Sequence, residues 1–456
     1  MTRAFLPGKI VLRLKPGLEL ADIAAHRDVR QGYAQAAAAL EGGRVEKAVR
    51  RRGGDLRASR AFTTAKNVFV PGKRHLDWDP LEHETGLSRT FRVAVHPLTD
   101  VRALCADLMA LDAVELATPQ FLCSTPDEIL GSEDADEVMD GQRSLIGGAR
   151  ALQIEPGDDT LIVGIVDSGA QPTHPELVGR LRPGLSAVSL SELEGGAQIL
   201  SKPQHRQDIS DDQGHGTACA GIIGANGLDL PPGLAGKARM LAVRALCAAR
   251  LPGEVRTTAL GNLADIDSGW KSCVDLGARI VNLSFGTAQA ALDRNDPVPH
   301  VAMVRYSLGR ECVLVSAAGN SGEDERIFPA ALPGVIAVGS VSLDRRRSSF
   351  STGGPHVALC APGERVRVAT LNGYSRMSGT SFAAPQVAAA AALLIARAAR
   401  SSTPLPALAV RDLLVRSASP FAPGDPRTTH STCGAGILDV PAALASVDEE
   451  TEAQAA

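Results

Sequence analysis

Five short runs of almost unbroken apolar residues constrain this chain more than anything else in it. They are LIVGIV at 161–166, ARMLAVRAL at 238–246, ARIVNLSF at 278–285, CVLVSAAG at 312–319 and GVIAVGSV at 334–341. A strand with one wet face alternates apolar and polar residues. Runs that stay apolar on both faces belong to strands covered on both sides, as in a parallel sheet with helices above and below. The stretches between the runs are helical in pattern and supply right-handed crossovers. Residues 145–447 therefore read as an α/β domain with a mostly parallel central sheet flanked by helices. Within it, PQVAAAAALLIARAAR at 385–400 is expected to be a buried helix, and residues 448–456 after it a disordered tail.

The chain before residue 125 has a different texture. KIVLRL at 9–14, TFRVAVH at 90–96 and VELATPQF at 114–121 read as strands. Residues 22–50, including AQAAAAL at 34–40, read as helical, with Arg50, Arg51 and Arg52 as a solvated helix end. Residues 53–88 read as loop, and a helix is expected over about 99–111 with Asp100 near its start. The β-α-β-α-β order predicts a small α+β, ferredoxin-like domain over 1–124. Residues 125–142 hold seven acidic residues and no basic one, so 125–144 is expected to be a flexible, solvated linker.

Composition excludes some partners. With 47 basic against 51 acidic residues, nothing draws nucleic acid or an anionic membrane to the chain. Aromatic residues make up 3%, too few for a base-stacking platform. The first residues, MTRAFLPGKIVLRLKPG, are broken by Pro7, Lys9, Arg13 and Lys15 before any signal-like apolar core forms. No run approaches the roughly 18 apolar residues of a membrane helix. A cytoplasmic location is expected, or secretion if the true start lies upstream. The eight cysteines are scattered with no C-x-x-C pair, which predicts buried free thiols and no zinc site.

Three residues stand where open parallel sheets build sites. Asp167 closes LIVGIV, His215 opens a helix in Gly-His-Gly-Thr, and Ser381 precedes the 385–400 helix in Gly-Thr-Ser. Singly, each reads as a turn or cap residue. Together, in the order Asp, His, Ser, they suit nucleophilic catalysis. A serine hydroxyl needs a base to take its proton, an imidazole can do so near neutral pH, and a carboxylate can fix the imidazole tautomer. A helix N-terminus at Ser381 favours negative charge developing beside it. Asn320, ending the run CVLVSAAG, could donate its amide to an oxyanion.

Eight segments then carry a family resemblance: IVDSG (165–169), HPEL (174–177), GHGTACAGIIGA (214–225), GLAGKARMLAVRAL (233–246), IVNLSFG (280–286), SAAGNSG (316–322), VIAVGSV (335–341) and SGTSFAAPQVAAAAALL (378–394). In this order, and with a closing GAGILDVPAAL at 434–444, they resemble the signature blocks of subtilisin-like serine peptidases. The resemblance implies an endopeptidase with Asp167, His215 and Ser381 as triad and Asn320 as oxyanion donor. It implies that Ser284, Phe285 and Gly286 pair with an extended substrate backbone, and that Phe328 lines the pocket for the residue before the cut. Residues 1–124 are similar, more loosely, to the family's propeptide domain, with an insertion around 40–88. The chain would then be a zymogen-like precursor whose own N-terminal domain is a partner, cut within about 122–145. The alternatives are a dedicated intracellular maturation protease for one partner protein or peptide, and a catalytically silent binding module.

The remaining expectations are narrower. Cys219, four residues after His215, matches a cysteine of proteinase K-like members and is expected to be a small buried residue whose mercuration slows the enzyme. No cofactor is required. Calcium is common in the family, but the ligand pattern does not support it here. Glu176 stands where a ligating Asp is usual, and the loop from Ala225 to Pro231 offers only Asn226 and Asp229, so Glu176 is expected to be a surface carboxylate. Glu323, Asp324 and Glu325 are expected in a solvated loop, and Arg345, Arg346 and Arg347 in an exposed turn.

Overall fold

The computed structural model describes residues 5–18, 20, 23–40, 43–69, 77–125, 129–130, 141–190, 193–194 and 196–455. The N-terminal unit runs β1 (Phe5–Leu14), α1 (Arg44–Gly53), β2 (Arg57–Arg60), β3 (Thr90–Ala94), α2 (Val101–Met109) and β4 (Val114–Ser124). Its strands pair antiparallel in the order β2-β3-β1-β4, the ferredoxin-like arrangement. Strand β1 alternates, burying Leu6, Ile10, Leu12 and Leu14. The last three of these pack with Val45 and Val49 of α1 and Leu104 and Leu108 of α2. The Asp100 carboxylate caps α2 by accepting from Arg102 N and Ala103 N.

Two expectations fail in this unit. Residues 34–40 are not helical: Ala37 instead exchanges backbone hydrogen bonds with Ala58 of β2, at 2.9 and 2.8 Å. An alanine run has high helix propensity but no amphipathic face, and a short helix without one is marginal. Helix is confined to His26–Arg30 and α1 in that region. The 53–88 stretch is not plain loop, since it holds β2 and a helix, Pro80–Glu84, capped by Asp79. Alternation fails to reveal β2 because Ser59 and Arg60 are both buried.

The second unit is built on seven parallel strands. In chain order they are β5 (Ile162–Asp167), β6 (Leu181–Ser186), β7 (Arg239–Arg244), then, after β8 (Thr257–Asn262) of another sheet, β9 (Ile280–Leu283), β10 (Val313–Ala317), β11 (Val335–Val341) and β12 (Val357–Pro362). Their order is β12-β11-β10-β9-β5-β7-β6. All five apolar runs are strands here. The two strands that the pattern missed, β6 and β12, lie at the edges, where Arg182, Pro183 and Pro362 are tolerated.

Helices cover the sheet: α3 (His215–Gly224), α4 (Leu263–Asp275), α5 (Val301–Gly309), α6 (Thr380–Arg400) and α7 (Val440–Ala455). Every residue of α6 from Thr380 to Ala396 is buried, which a helix apolar all round requires. The expected disordered tail is instead the end of α7, where Asp448 pairs with Arg397 of α6 at 2.7 Å and Glu450 with Arg416.

The two units share one sheet. Strand β4 continues beyond the N-terminal unit and pairs antiparallel with β8, in the register Leu260–Ser124, Gly261–Cys123 and Asn262–Leu122. An eight-stranded antiparallel sheet thereby crosses the seam. Helix α4 carries buried ion pairs to the N-terminal unit. Asp265 Oδ1 lies 2.5 Å from Arg92 Nη1, and Lys271 Nζ lies 2.5 Å from Glu82 Oε1 and 2.7 Å from Asp275 Oδ2. Of the expected linker at 125–144, most lies outside the described residues. Ile129–Leu130 pairs antiparallel with Met377 and Ser378, and Gly141–Leu145 is helical.

Candidate active site

Asp167 is the last residue of β5 and fully buried. Its backbone carbonyl accepts from Ala245 N and Leu246 N, which fixes where the strand ends. Its Oδ1 accepts from Ser168 N at 2.7 Å and lies 2.7 Å from His215 Nδ1. His215 is the first residue of α3. That helix reaches β5 because its second residue is glycine: a Cβ on Gly216 would lie 2.0 Å from Gly169 O. The turn before it uses Gly214 at φ +104°.

Sequence reasoning missed the group that holds this turn. Asp211 accepts from Gln213 N, Gly214 N and Thr217 N at 2.9–3.0 Å, and from Thr217 Oγ1 at 2.6 Å. The available signal was an acidic residue just before a helix.

Ser381 lies in the first turn of α6 and is buried; among the described residues its Oγ has no hydrogen-bond partner. The other candidates converge within one residue of it. The His215 ring packs against Phe382, with centroids 5.9 Å apart. Asn320 Oδ1 accepts from Thr380 N and Thr380 Oγ1, both at 2.9 Å, which fixes its amide plane. Cys219, one turn on from His215, is buried as expected and donates from Sγ to Ser381 O at 3.5 Å.

Ser284 Oγ donates to the same Ser381 carbonyl at 3.1 Å, and Asn282 Nδ2 holds Ser284 Oγ at 2.9 Å. The reason is local. In a helix Ser381 O would accept from residue 385, but that residue is Pro385, which has no N–H. Two side chains replace the missing donor, so the Ser381 carbonyl is tied to α3 and to the residue that follows β9.

The substrate-strand candidates lie beside the end of β4. Gly286 N donates to Ser124 O at 3.2 Å, and Thr125 N donates to Ala259 O at 3.1 Å. Residues 122–125 therefore lie as a strand between β8 and Gly286. Phe285 is fully buried. Phe328 is also buried, on a two-residue strand paired with Thr287 and Ala288. Of the acidic trio, Asp324 is tied to Arg347 at 3.3 Å. Arg347 is buried, donating to Ser351 O at 3.0 and 2.6 Å, so the expected exposed turn is only partly exposed.

Glu176 corrects another expectation. It is fully buried, and its carboxylate accepts from the backbone N–H groups of Gly227, Leu228, Asp229 and Leu230 at 2.7–3.2 Å. Burial pushes its carboxyl up, but these four donors outweigh that and hold it below the usual range. A calcium ion needs about six to eight oxygen ligands. This loop points N–H groups at the carboxylate, so it does not fit the ion.

The geometry therefore places a buried carboxylate on an imidazole, that imidazole against Phe382, and a fixed amide on Thr380, the two residues that flank Ser381 in the first turn of a helix. Such a set can deliver a hydroxyl nucleophile to a carbonyl and stabilise the resulting oxyanion. Comparison with known proteins agrees. Residues 158–436 match the subtilase family. Thermitase of Thermoactinomyces vulgaris is 34% identical over 56% of this chain and 82% of its own. The thermophilic serine proteinase of Bacillus sp. (strain AK1) is also 34% identical, over 54% of this chain and 54% of its own length. In structure, the prenylagaramide maturation protease PagA superposes with a TM-score of 0.52 at 26% identity, covering 66% of this chain and 98% of its own. Fold and comparisons define a serine-type endopeptidase, a hydrolase acting on proteins or peptides. The chain belongs to the subtilase family.

Proposed function

We propose that this chain cuts peptide bonds through an acyl-enzyme on Ser381 and is held inactive by its own residues 1–124. Ser381 Oγ attacks the carbonyl carbon while His215, oriented through Nδ1 by Asp167, takes the hydroxyl proton. The same proton passes to the departing amine, and water then releases the acid half and restores Ser381. Asn320 donates to the oxyanion with the N-terminus of α6 behind it. Ser284–Gly286 and β8 pair with extended substrate, and Phe328 borders the pocket beside the cut.

The observation that carries the inhibited state is residues 122–125 lying in the groove as a strand, with Thr125 N on Ala259 O and Gly286 N on Ser124 O. Thr125 is bonded to β8, while Ile129 and Leu130 pair with Ser378 and Met377, in the segment leading to Ser381. Self-cleavage is assigned between them. The eight buried thiols support a reducing, cytoplasmic setting. A second reading, a maturation protease for one precursor, is favoured by the likeness to PagA.

Purified wild type and Ser381→Ala are compared by intact-mass spectrometry and by fluorophosphonate labelling. The expected result is a cut between Thr125 and Ile129 in wild type alone, with labelling of Ser381 that increases after the cut. Identical masses together with no labelling, even after limited proteolysis removes residues 1–124, would leave the binding-module reading.

A further inference from the structure

A basic cleft lies at the seam between the two units, away from the groove. Its volume is about 180 Å³, and it is lined from the N-terminal unit by His26, Arg27, Arg30 and Arg92 and from the catalytic unit by His205 and Arg206. Among the described residues no carboxylate lines it, while hydroxyls from Ser186, Ser189, Ser268 and Ser272 do. Two carboxylates stand nearby and are already engaged, Asp28 with Arg27 at 3.3 Å and Asp265 with Arg92 at 2.5 Å. Arg30 donates to Val188 O, at 2.5 Å, across the seam. Among the described residues Arg206 has no carboxylate partner; its guanidinium lies over Phe69, 5.5 Å from the ring centroid. Arg92 is buried, and its Nε has no acceptor among the described residues.

Among the described residues, four guanidiniums stand against two carboxylates, which gives the cleft a positive balance in a place partly screened from water. The cost is visible in the side chains themselves. Burial, and then the charge of Arg27, pushes the Arg206 guanidinium down to about 10. Burial, Arg92 and Arg30 hold the His26 imidazole well below its ordinary value. Arg forks match tetrahedral oxyanions, and hydroxyl and amide groups beside them complete such a site. The cleft is smaller than the roughly 300–1,000 Å³ of pockets for drug-sized ligands.

We infer that this cleft is a binding site for a phosphate-type oxyanion, bridging Arg30 of the N-terminal unit to Arg206 of the catalytic unit; Arg27 and Arg92, whose terminal nitrogens already bond Asn67 O, Val68 O, Asp265 and Ala264 O, add charge to it. Occupancy ties the two units together. If residues 1–124 inhibit as proposed above, bound phosphate slows their release; the site itself does not depend on that reading.

The test uses full-length Ser381→Ala, which stays in one piece, in equilibrium dialysis against inorganic phosphate with chloride at matched ionic strength. A parallel arm uses glycerol 3-phosphate, to distinguish a free ion from a phosphoryl group on a larger molecule. The expected result is saturable binding of one equivalent. Arg206→Gln and Arg30→Gln should each bind at least about tenfold more weakly, one charge-assisted contact being worth about 1.5 kcal/mol. Both substitutions are at partly exposed positions, and unchanged melting in chloride confirms folding. Wild-type melting should rise with phosphate and not with chloride. Absence of saturable binding up to about 10 mM, the affinity of a trivial contact, or wild-type affinity in both variants, overturns the assignment.

Discussion

Replacing Glu176 tests whether a carboxylate does here what a cation does elsewhere. Its two oxygens accept four backbone N–H groups, from Gly227 through Leu230. Glu176→Ala removes both acceptor oxygens and with them all four hydrogen bonds. Each hydrogen bond to a charged group contributes about 1.5–3 kcal/mol, and each stranded donor costs about 1–3. Asn226, Leu228 and Asp229 are exposed, so water rescues most of the loop and the lower end applies. A loss of about 3 kcal/mol is expected, with Glu176→Gln close behind, because its amide N–H groups would face other N–H groups. At about 2.1 cal/mol/K per residue, a domain of roughly 300 residues has an unfolding entropy near 0.6 kcal/mol/K, so 3 kcal/mol lowers Tm by about 5 °C.

The assay is calorimetry of Ser381→Ala backgrounds in EDTA and in calcium. Both Glu176 variants should melt lower, with no rescue by calcium. The pH dependence has a definite sign. The folded carboxyl titrates below its unfolded value, so its contribution is present above the unfolded pKa and is lost as pH falls through the folded one. The wild-type advantage over Glu176→Gln should therefore shrink in acid. Melting of the variants within about 1 °C of wild type, or calcium restoring them, refutes the reasoning.

Other outcomes are as direct. Asn320→Ala should lower kcat by about 10²–10³ with little change in KM, read on a peptide substrate. Ser284→Ala removes one neutral hydrogen bond to Ser381 O, worth about 1 kcal/mol, and should slow acylation about fivefold while Cys219 holds the remaining contact. Lys271→Ala strands the buried carboxylates Glu82 and Asp275 and should destabilise the full chain by about 3–5 kcal/mol in denaturant unfolding. His300, buried 2.6 Å from Asp267, is raised to about 9 because the carboxylate's attraction outweighs burial. Its contribution is complete below the unfolded value and declines as pH rises through 9, and Asp267→Asn should remove that decline in a pH series of melting curves.

The central sheet was legible because its strands are buried on both faces, and such strands leave apolar runs. The candidate site was legible because strand ends and helix starts carry Asp167, His215, Asn320 and Ser381 within short glycine-rich segments. What escaped was set by partners distant in sequence. Edge strand β6 carries Arg182, Pro183 and Gly184 and loses the apolar signature, while β12 keeps it but ends in Pro362. Residues 34–40 obey the neighbouring β2 rather than their alanine content. Glu176 reads as a surface carboxylate until the loop 227–230 folds over it. The role of Pro385 shows only when the carbonyl it fails to serve is found bonded to Ser284 and Cys219.

The shared strand β4 has a kinetic consequence. While the backbone is whole, residues 122–125 meet the groove at the millimolar effective concentrations of a tethered ligand, whatever the protein concentration. A cut beyond Thr125 turns that contact into an ordinary bimolecular complex held by main-chain bonds to β8 and Gly286 and by the Arg92–Asp265 and Lys271–Glu82 pairs. Its lifetime is then governed by dissociation rate, where affinity differences between related complexes mostly reside. If residues 1–124 inhibit as proposed, activity should appear with a lag set by the residence time of the detached fragment, and dilution, by preventing rebinding, should raise its final extent.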